Sequence, residues 1–216
     1  MIGTVDTLET IGRIGIVPVV VLDDPLHGAP LAEALRDGGI GCAEFTLRTP
    51  AGLGALRAAA AVDGFIAGAG TVLSADQVDA VADAGARFLV SPGYAAGVNV
   101  RARERGLTMI PGIATATELQ RAREDGYTHL KVFPASALGG PAYLDALAGP
   151  FPDVRLLPSG GVSADNLGDY LRRPTVFAGS GSWMVPRAQI AAGGFGAIRD
   201  LARACRELCD AVRGPA

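Results

Sequence analysis

Short apolar runs alternate with longer amphipathic segments along the whole chain. Segments such as 28–37, 74–84, 115–125 and 163–171 repeat their apolar residues with the period of an α-helix. Buried strands that alternate with helices are typical of a parallel sheet, so we expect an α/β fold. The predicted strands are 14–22, 40–47, 64–70, 87–91, 107–112, 128–133, 154–158 and 175–179.

The number and spacing of these units favour a closed barrel. Eight strand–helix units spaced by about twenty to twenty-five residues predict a (β/α)₈ TIM barrel slightly shorter than usual. A doubly wound open sheet is the alternative. Two further helices, over 5–12 and 195–212, are expected to flank the barrel, the first of them covering its bottom. We find no linker, so we expect one domain over 1–216.

Three residues mark the expected starts of helices. Ser74, Thr115 and Ser163 are good N-cap residues, and Thr115 with Glu118 forms the pattern of a capping box. These residues have a structural task, and we assign no chemistry to them.

Composition narrows the classes of function. The 216 residues carry a net charge of −3, and no basic cluster indicates a nucleic-acid partner. No apolar run is long enough to span a membrane, and residues 1–4 do not begin a signal peptide. We therefore expect a cytoplasmic protein that binds neither nucleic acid nor membrane.

The cysteines and histidines do not form a metal-binding pattern. Cys42, Cys205 and Cys209 lack the spacing of a disulfide framework or zinc site, and His27 and His129 are far apart in sequence. Cys205 and Cys209 share one face of the C-terminal helix and are expected to be buried as small apolar residues. We expect no histidine-rich metal centre.

One lysine is the most informative residue of the chain. Arg occurs eighteen times and Lys once, and Lys131 lies in the apolar run Leu130-Lys131-Val132-Phe133-Pro134. Burial disfavours the charged form of an amine, and a neutral amine is what Schiff-base chemistry with a carbonyl substrate requires. A bias of the genome toward Arg explains the lack of surface lysines. It does not explain why the remaining lysine lies in a buried strand.

The second predicted strand carries a second candidate. Strand alternation places Glu44, Thr46 and Arg48 on the inner face, with Phe45 on the outer one. One interpretation is a structural Glu44–Arg48 ion pair. The other is a general base beside a guanidinium that binds an anion. Glu44 and Lys131 both point inward, so they could meet near the barrel axis, with Phe133 as an aromatic wall.

Glycine-rich turns follow three other strands. Gly68-Ala69-Gly70 resembles only a fragment of a dinucleotide motif, and we expect small residues there to leave the mouth open while Thr71 offers its hydroxyl to a ligand. The turns after the seventh and eighth strands are where barrels often hold phosphate. Ser159 and Ser182 would add hydroxyl donors, and Trp183 is expected to be a packing residue.

Taken in order, these motifs resemble a known family. The resemblance to the 2-keto-3-deoxy-6-phosphogluconate aldolases, which include the 4-hydroxy-2-oxoglutarate aldolases, extends from about residue 16 to residue 186. It rests on Glu44-Phe45-Thr46-Leu47-Arg48-Thr49, Gly68-Ala69-Gly70-Thr71-Val72, Ser91-Pro92-Gly93, Ile110-Pro111-Gly112, Lys131-Val132-Phe133-Pro134-Ala135, Pro158-Ser159-Gly160-Gly161-Val162 and Gly181-Ser182-Trp183.

The resemblance implies a class I aldolase on a (β/α)₈ barrel, usually a homotrimer, that needs no metal or other cofactor. Lys131 would form the Schiff base, and Glu44 would be the general acid and base, acting partly through a bound water. The expected substrate-binding residues are Arg48, Thr71, Pro92, Phe133 and Ser159. The expected phosphate-binding residues are Gly160, Gly161, Gly181 and Ser182.

The implied reaction is cleavage of 2-keto-3-deoxy-6-phosphogluconate to pyruvate and glyceraldehyde 3-phosphate. The alternatives are a 4-hydroxy-2-oxoglutarate aldolase or oxaloacetate decarboxylase, and a non-catalytic barrel that binds phosphosugars. Two residues depart from the family pattern. Ser159 stands where many members have Thr, and Ser180 stands where the turn often has a second glycine. Both departures bear on which phosphosugar is bound. Ser159 lacks the methyl group of Thr, and Ser180 would add a side chain beside the phosphate.

Overall fold

The computed structural model describes residues 7–214. The first helix, α1, covers Thr7–Ile14, and the last, α10, covers Phe195–Arg213. Both flanking helices are therefore confirmed, although residues 5 and 6 of the first prediction, like residues 1–4, lie outside the described residues. Ile11 of α1 is fully buried against the inner face of the strands, as expected for a helix that covers one end of the barrel.

The strands pair in parallel and close on themselves. They pair in the orders β5-β4-β3-β2-β1-β9 and β6-β7-β8. Residue bridges join β8 to the β9 region, and β5 and β6 are one strand interrupted at Pro111, whose carbonyl accepts the Lys131 N–H at 2.9 Å. The (β/α)₈ barrel is confirmed and the open sheet is wrong. The strands are β1 Ile16–Val20, β2 Cys42–Thr46, β3 Ile66–Gly70, β4 Phe88–Val90, β5 Thr108–Ile110, β6 Gly112–Ile113, β7 His129–Val132, β8 Arg155–Pro158 and β9 Gly179–Gly181.

Helices fill the outer layer between the strands. Ser74 and Thr115 accept hydrogen bonds from the N–H groups of Gln77 and Glu118, so two of the expected N-caps are confirmed. The remaining helices are α2 Gly28–Asp37, α3 Gly52–Ala60, α4 Ala75–Asp83, α5 Ala96–Glu104, α6 Ala116–Glu124, α7 Gly140–Ala148, α8 Leu167–Leu171 and α9 Arg187–Ala191, and a 3₁₀ turn covers Pro25–His27.

Strand alternation sorts the apolar side chains into two cores. The outer one lies between strands and helices and includes Ala43 and Phe45. The inner one fills the barrel below the mouth and includes Cys42, Phe88 and Leu157. The inward parity of β2 therefore places Glu44 directly above Cys42, at the level where the apolar filling ends.

The expected third N-cap, Ser163, is wrong. Helix α8 begins at Leu167, four residues later, and a turn occupies the interval. In this turn the Asn166 N–H donates to the Ser163 carbonyl at 3.3 Å. The Asn166 side chain binds the loop before it, because its Oδ1 accepts the Ser163 N–H at 2.9 Å and its Nδ2 donates to the Gly161 carbonyl at 2.9 Å.

The position of the eighth strand is also wrong. The regular ladder runs over Gly179–Gly181 instead of 175–179, although Val176 forms one bridge to Leu156. Glycines carry the strand because a Cβ at Gly179 would lie 2.5 Å from Leu167 Cδ1. Ser180 is thus a strand residue, and not part of the turn in which the sequence pattern placed it.

The sulfur atoms and the surface add no further site. Cys205 and Cys209 are buried against the outer core, as expected. Over residues 7–214, no helix is long and apolar enough to cross a membrane, and no group of His, Cys, Asp and Glu is arranged to hold a metal ion.

Candidate active site

The carboxyl ends of the strands open into a cavity of about 320 Å³. This is the face on which (β/α)₈ enzymes place their reacting groups. The cavity brings together every site residue expected from the sequence, namely Glu44, Arg48, Thr71, Pro92, Lys131, Phe133, Ser159, Gly160, Gly161, Gly181 and Ser182. Their placement in one cavity is an observation; their individual roles remain predictions.

Lys131 and Glu44 meet inside the barrel. The Lys131 Nζ lies 3.4 Å from Glu44 Oε1, and the two side chains are 8% and 1% exposed. Lys131 Nζ also lies 5.6 Å from the centre of the Phe133 ring, within the range of a cation–π contact. An amine held between a carboxylate and an aromatic face is shielded from water yet open to the cavity, as a nucleophile toward a carbonyl must be.

The carboxylate keeps one oxygen available. Glu44 Oε1 accepts a hydrogen bond from Lys131, whereas the buried Oε2 has no hydrogen-bond partner within the part of the chain that the structure describes. Buried charged oxygens are ordinarily satisfied, so Oε2 is suited to bind a substrate hydroxyl or a water. The alternative of a Glu44–Arg48 ion pair is wrong, because Arg48 Nε instead donates to Thr46 Oγ1 at 3.4 Å, and Thr46 Oγ1 in turn donates to the Val20 carbonyl.

A glycine on the neighbouring strand makes room for that carboxylate. Gly70 is the register partner of Thr46 on β2. A Cβ at Gly70 would lie 3.0 Å from Glu44 Cδ and 3.1 Å from Thr46 Cγ2. The glycines of β3 are therefore explained by close packing inside the barrel and not by dinucleotide binding.

Thr71 adopts an unusual backbone conformation at the rim. Its φ is +60°, and among residues 7–214 it is the one non-glycine residue with positive φ. A β-branched residue in this region is strained, and such strain is found most often at binding sites. Thr71 follows β3 directly and lines the cavity beside Glu44 and Arg48.

The loop after β8 turns its carbonyl groups away from the cavity. The carbonyls of Ser159, Gly160 and Gly161 accept hydrogen bonds from Ala135 N, Ser136 N and Asn166 Nδ2. Because the C=O of a trans peptide points opposite to the next N–H, the N–H groups of residues 160–162 point away from these donors. Consecutive N–H groups on one side of a loop form an anion-binding concavity.

Three residues that line the cavity were missed by the sequence analysis as site residues. Val19 and Val162 are apolar and carry no chemical signal, although Val162 follows two glycines with φ of +88° and +79°. Ser180 was considered only as a departure from a pattern. Its inward position on β9 could have been found had the strand been placed correctly.

The chain is similar in sequence and in fold to known proteins. A family model described as KDPG and KHG aldolase matches residues 8–201. A 2-dehydro-3-deoxy-phosphogluconate aldolase of Treponema pallidum is 44% identical over 199 residues, which are 90% of this chain and 93% of that protein.

Two solved structures superpose closely on the barrel. The KDPG aldolase of Legionella pneumophila, with pyruvate captured at low pH as a covalent carbinolamine, has a TM-score of 0.88 and 37% identity over 92% of this chain and 98% of that one. The 2-keto-3-deoxy-6-phosphogluconate aldolase of Zymomonas mobilis ZM4 with 3-phosphoglycerate has a TM-score of 0.86 and 34% identity over 93% and 95%.

Proposed function

The chain belongs to the KDPG and KHG aldolase family, and from this membership we infer that it is a class I aldolase acting on 2-keto-3-deoxy-6-phosphogluconate. The products are pyruvate and glyceraldehyde 3-phosphate. The observation that carries the chemistry is the contact of 3.4 Å between Lys131 Nζ and Glu44 Oε1 inside the cavity. It supplies an amine nucleophile and a proton carrier to the same carbonyl.

We infer that substrate binding uses a guanidinium, hydroxyl groups and backbone N–H groups that line the cavity. We assign Arg48 and Thr71 to the carboxylate and the adjacent oxygens, since a guanidinium matches a carboxylate with two parallel hydrogen bonds. The N–H groups of residues 160–162, with Gly181 and Ser182, receive the phosphate. The structure of the Zymomonas mobilis enzyme with 3-phosphoglycerate supports a phosphorylated three-carbon group as a ligand.

Imine formation is the first chemical stage. The neutral Lys131 amine attacks the C2 ketone, and Glu44 donates a proton as the hydroxyl of the carbinolamine leaves as water. The resulting iminium draws electrons from C3. Pyruvate bound as a carbinolamine in the Legionella pneumophila enzyme supports this intermediate. Pro92 and Phe133 line the cavity beside the amine and limit the access of other water.

Carbon–carbon cleavage follows from the electron-withdrawing iminium. Glu44 accepts the proton of the C4 hydroxyl, the C3–C4 bond breaks toward C3, and glyceraldehyde 3-phosphate leaves. The enamine then takes a proton at C3, and addition of water at C2 releases pyruvate and restores the Lys131 amine. One carboxylate can serve all of these transfers because Oε1 accepts a hydrogen bond from the amine and Oε2 has no partner among the described residues.

A second substrate is favoured by the family description, which names KHG aldolase beside KDPG aldolase. We propose that 4-hydroxy-2-oxoglutarate is also cleaved, and that oxaloacetate is decarboxylated as a side reaction, because the same iminium accepts electrons from a leaving carboxylate. The loop after β8 has no phosphate to bind in these substrates, so we expect kcat/KM to be lower for both than for the phosphosugar.

The assembly, location and domain extent are proposed from the resemblance. We propose a homotrimer in the cytoplasm with one domain over 1–216. Sedimentation velocity of the full chain tests the assembly: a trimer is expected, and a monomer at micromolar concentration would contradict it.

The function is tested by coupling pyruvate release to lactate dehydrogenase. Turnover of the phosphosugar is expected in the parent, none with Lys131→Ala, and a decrease of about 10²-fold or more with Glu44→Gln, the usual contribution of a general acid–base. Glu33→Gln, the same change at an exposed residue of α2, is the matched control and should retain full activity. Binding of the phosphosugar without pyruvate release would instead support a non-catalytic barrel.

A further inference from the structure

Ser180 is a buried hydroxyl in the active-site cavity that the proposed mechanism does not use. Its side chain is 0% exposed, and its Oγ has no hydrogen-bond partner among residues 7–214. Ser180 nevertheless lines the same cavity as Lys131 and Glu44. Leaving a buried hydroxyl unpaired is unfavourable, so a partner from outside the protein is expected for it.

The register of β7 and β8 places Ser180 relative to the lysine. Ser180 forms a bridge to Ser159, the residue directly after β8, and Lys131 pairs with Leu157 on β8, two residues earlier. Neighbouring strands of a (β/α)₈ barrel are staggered by about one residue each, because eight strands share a shear of about eight. Over two strands, Ser180 therefore lies at the height of Lys131.

The register on the other side gives the same height. Ser180 pairs with Val17 on β1, and Glu44 pairs with Val19, two residues later. The stagger between Ser180 and Glu44 is therefore also two residues over two strands, so Ser180 lies at the height of Glu44. Glu44 and Lys131 are at one height, since their side chains touch at 3.4 Å. The height of Ser180 is thus the same whether it is counted from Lys131 or from Glu44.

Glu44, Lys131 and Ser180 belong to one interior layer, whose fourth member is Val90 on β4. Layers of four side chains from alternate strands fill barrels of this type. Within such a layer, the eighth strand lies between the sixth and the second. Ser180 therefore lies beside the amine and the carboxylate on one side of the pair, and Val90 lies on the other. In this layer, Ser180 Oγ and Glu44 Oε2 are the polar atoms without a hydrogen-bond partner among the described residues.

We propose that Ser180 positions the water that is lost from and added to C2 of the substrate, holding its oxygen jointly with Glu44 Oε2. This proposal rests on the aldolase function inferred above. A hydroxyl can accept one hydrogen bond and donate another, so it can fix a water that gives a proton to a carboxylate. One such oxygen would satisfy both unpartnered atoms.

Pyruvate is released when water adds to C2 of the iminium. The water oxygen forms a bond to C2, Glu44 accepts a water proton, and the C=N electron pair moves to the Lys131 nitrogen. Glu44 then returns the proton to that nitrogen, and the C2–N bond breaks toward nitrogen. The C2 hydroxyl loses its proton to Glu44, which leaves pyruvate, the neutral amine and a protonated carboxyl group. Imine formation is the reverse.

The test follows imine formation and proton exchange separately in Ser180→Ala. Enzyme and pyruvate are mixed, quenched with borohydride at increasing times, and the reduced adduct is measured by mass. We expect the rate of adduct formation to fall about tenfold, which corresponds to the loss of one hydrogen bond. In deuterated water, slower hydrolysis in Ser180→Ala should let each imine survive longer. Pyruvate sampled early should therefore contain more of the doubly and triply deuterated forms relative to the singly deuterated form.

The ratio of deuterated products distinguishes a water-positioning role from general damage. Val90→Ala disturbs the packing of the same layer without removing a hydroxyl, and should leave the ratio unchanged even if both rates fall. A Ser180→Ala enzyme with the parent's imine rate and product ratio, or with both rates reduced and the ratio constant, overturns the proposal. Failure of the parent itself to form an adduct would instead overturn the aldolase function.

Discussion

Replacing Gly70 with alanine should impair catalysis while leaving the fold intact. The added Cβ would lie 3.0 Å from Glu44 Cδ, 3.1 Å from Thr46 Cγ2 and 3.2 Å from Glu44 Oε1. These separations are a few tenths of an ångström shorter than ordinary carbon–carbon contacts of about 3.5–4.0 Å. The backbone of Gly70 does not have positive φ, so the conflict is with the side chains of β2.

The decrease in kcat depends on which side chain moves to make room for the added methyl group. Extra methyl groups in a packed interior are unfavourable by about 1–3 kcal/mol. Thr46 is anchored by its bond of 2.8 Å to the Val20 carbonyl, whereas Glu44 is held by a single bond to Lys131 at 3.4 Å. The carboxylate should therefore yield first. Because displacement by about 1 Å can reduce a rate by about 10²-fold, a shift of a few tenths of an ångström should lower kcat about tenfold.

The assay compares kcat for the phosphosugar with trapping of the imine by borohydride. Gly70→Ala should have a kcat about tenfold below that of the parent. It should still form the pyruvate adduct, because Lys131 is unchanged. Gly97→Ala is the matched control: it lies in helix α5, nothing is within 4 Å of its added Cβ, and alanine should raise stability by up to about 1 kcal/mol. Full activity of Gly70→Ala would refute the reasoning that β3 leaves room for the carboxylate.

Three further predictions address stability and substrate binding. Burial raises the pKa of the Cys42 thiol from 9.0 to about 12, so ionisation above pH 9 favours the unfolded state. Between pH 8 and pH 10, urea unfolding should show that Cys42→Ala loses about 1.4 kcal/mol less stability than the parent, and equal losses would contradict the assignment. Arg48→Lys keeps the charge but loses the two-point fork, so kcat/KM should fall about tenfold, and an unchanged value would argue against carboxylate binding. Gly161→Ala places a Cβ 2.4 Å from Ser136 Oγ at a backbone φ of +79°. We expect kcat/KM to decrease more for the phosphorylated substrate than for its unphosphorylated form, and equal decreases would disprove phosphate binding at this loop.

The reacting pair could be predicted from sequence because it depends on two simple regularities. Strand parity fixed the direction of Glu44 and Lys131, and closure of the barrel forces inward residues of the second and sixth strands toward one axis. The partner of Glu44 was left open, because a pattern along one strand cannot show that Arg48, beyond the end of β2, turns to Thr46 instead.

The eighth strand could not be placed because its residues have low strand propensity. Val176 and Phe177 have high strand propensity, so the sequence predicts the strand there, whereas the ladder runs through Gly179, Ser180 and Gly181. Neighbouring side chains exclude a Cβ at the two glycines. That error concealed the inward position of Ser180. Exclusion by packing is a property of the assembled barrel, and a local pattern does not contain it.

The phosphate loop was only partly predictable. Two consecutive glycines indicated a turn after the seventh strand, but the direction of the N–H groups depends on which donors bind its carbonyls. One of these donors is the side chain of Asn166, which lies in the turn before α8 and also accepts the Ser163 N–H. Sequence spacing alone does not show these contacts.

Covalent trapping tests the central claim most directly. The full chain is incubated with pyruvate and borohydride, and the mass of the intact protein is measured, followed by peptide mapping. Because Lys131 is the one lysine of the chain, the remaining amine able to react is the N-terminus, which mapping separates. We predict one reduced pyruvyl adduct, confined to Lys131. A folded protein that forms no adduct, or forms it at the N-terminus alone, would contradict the account.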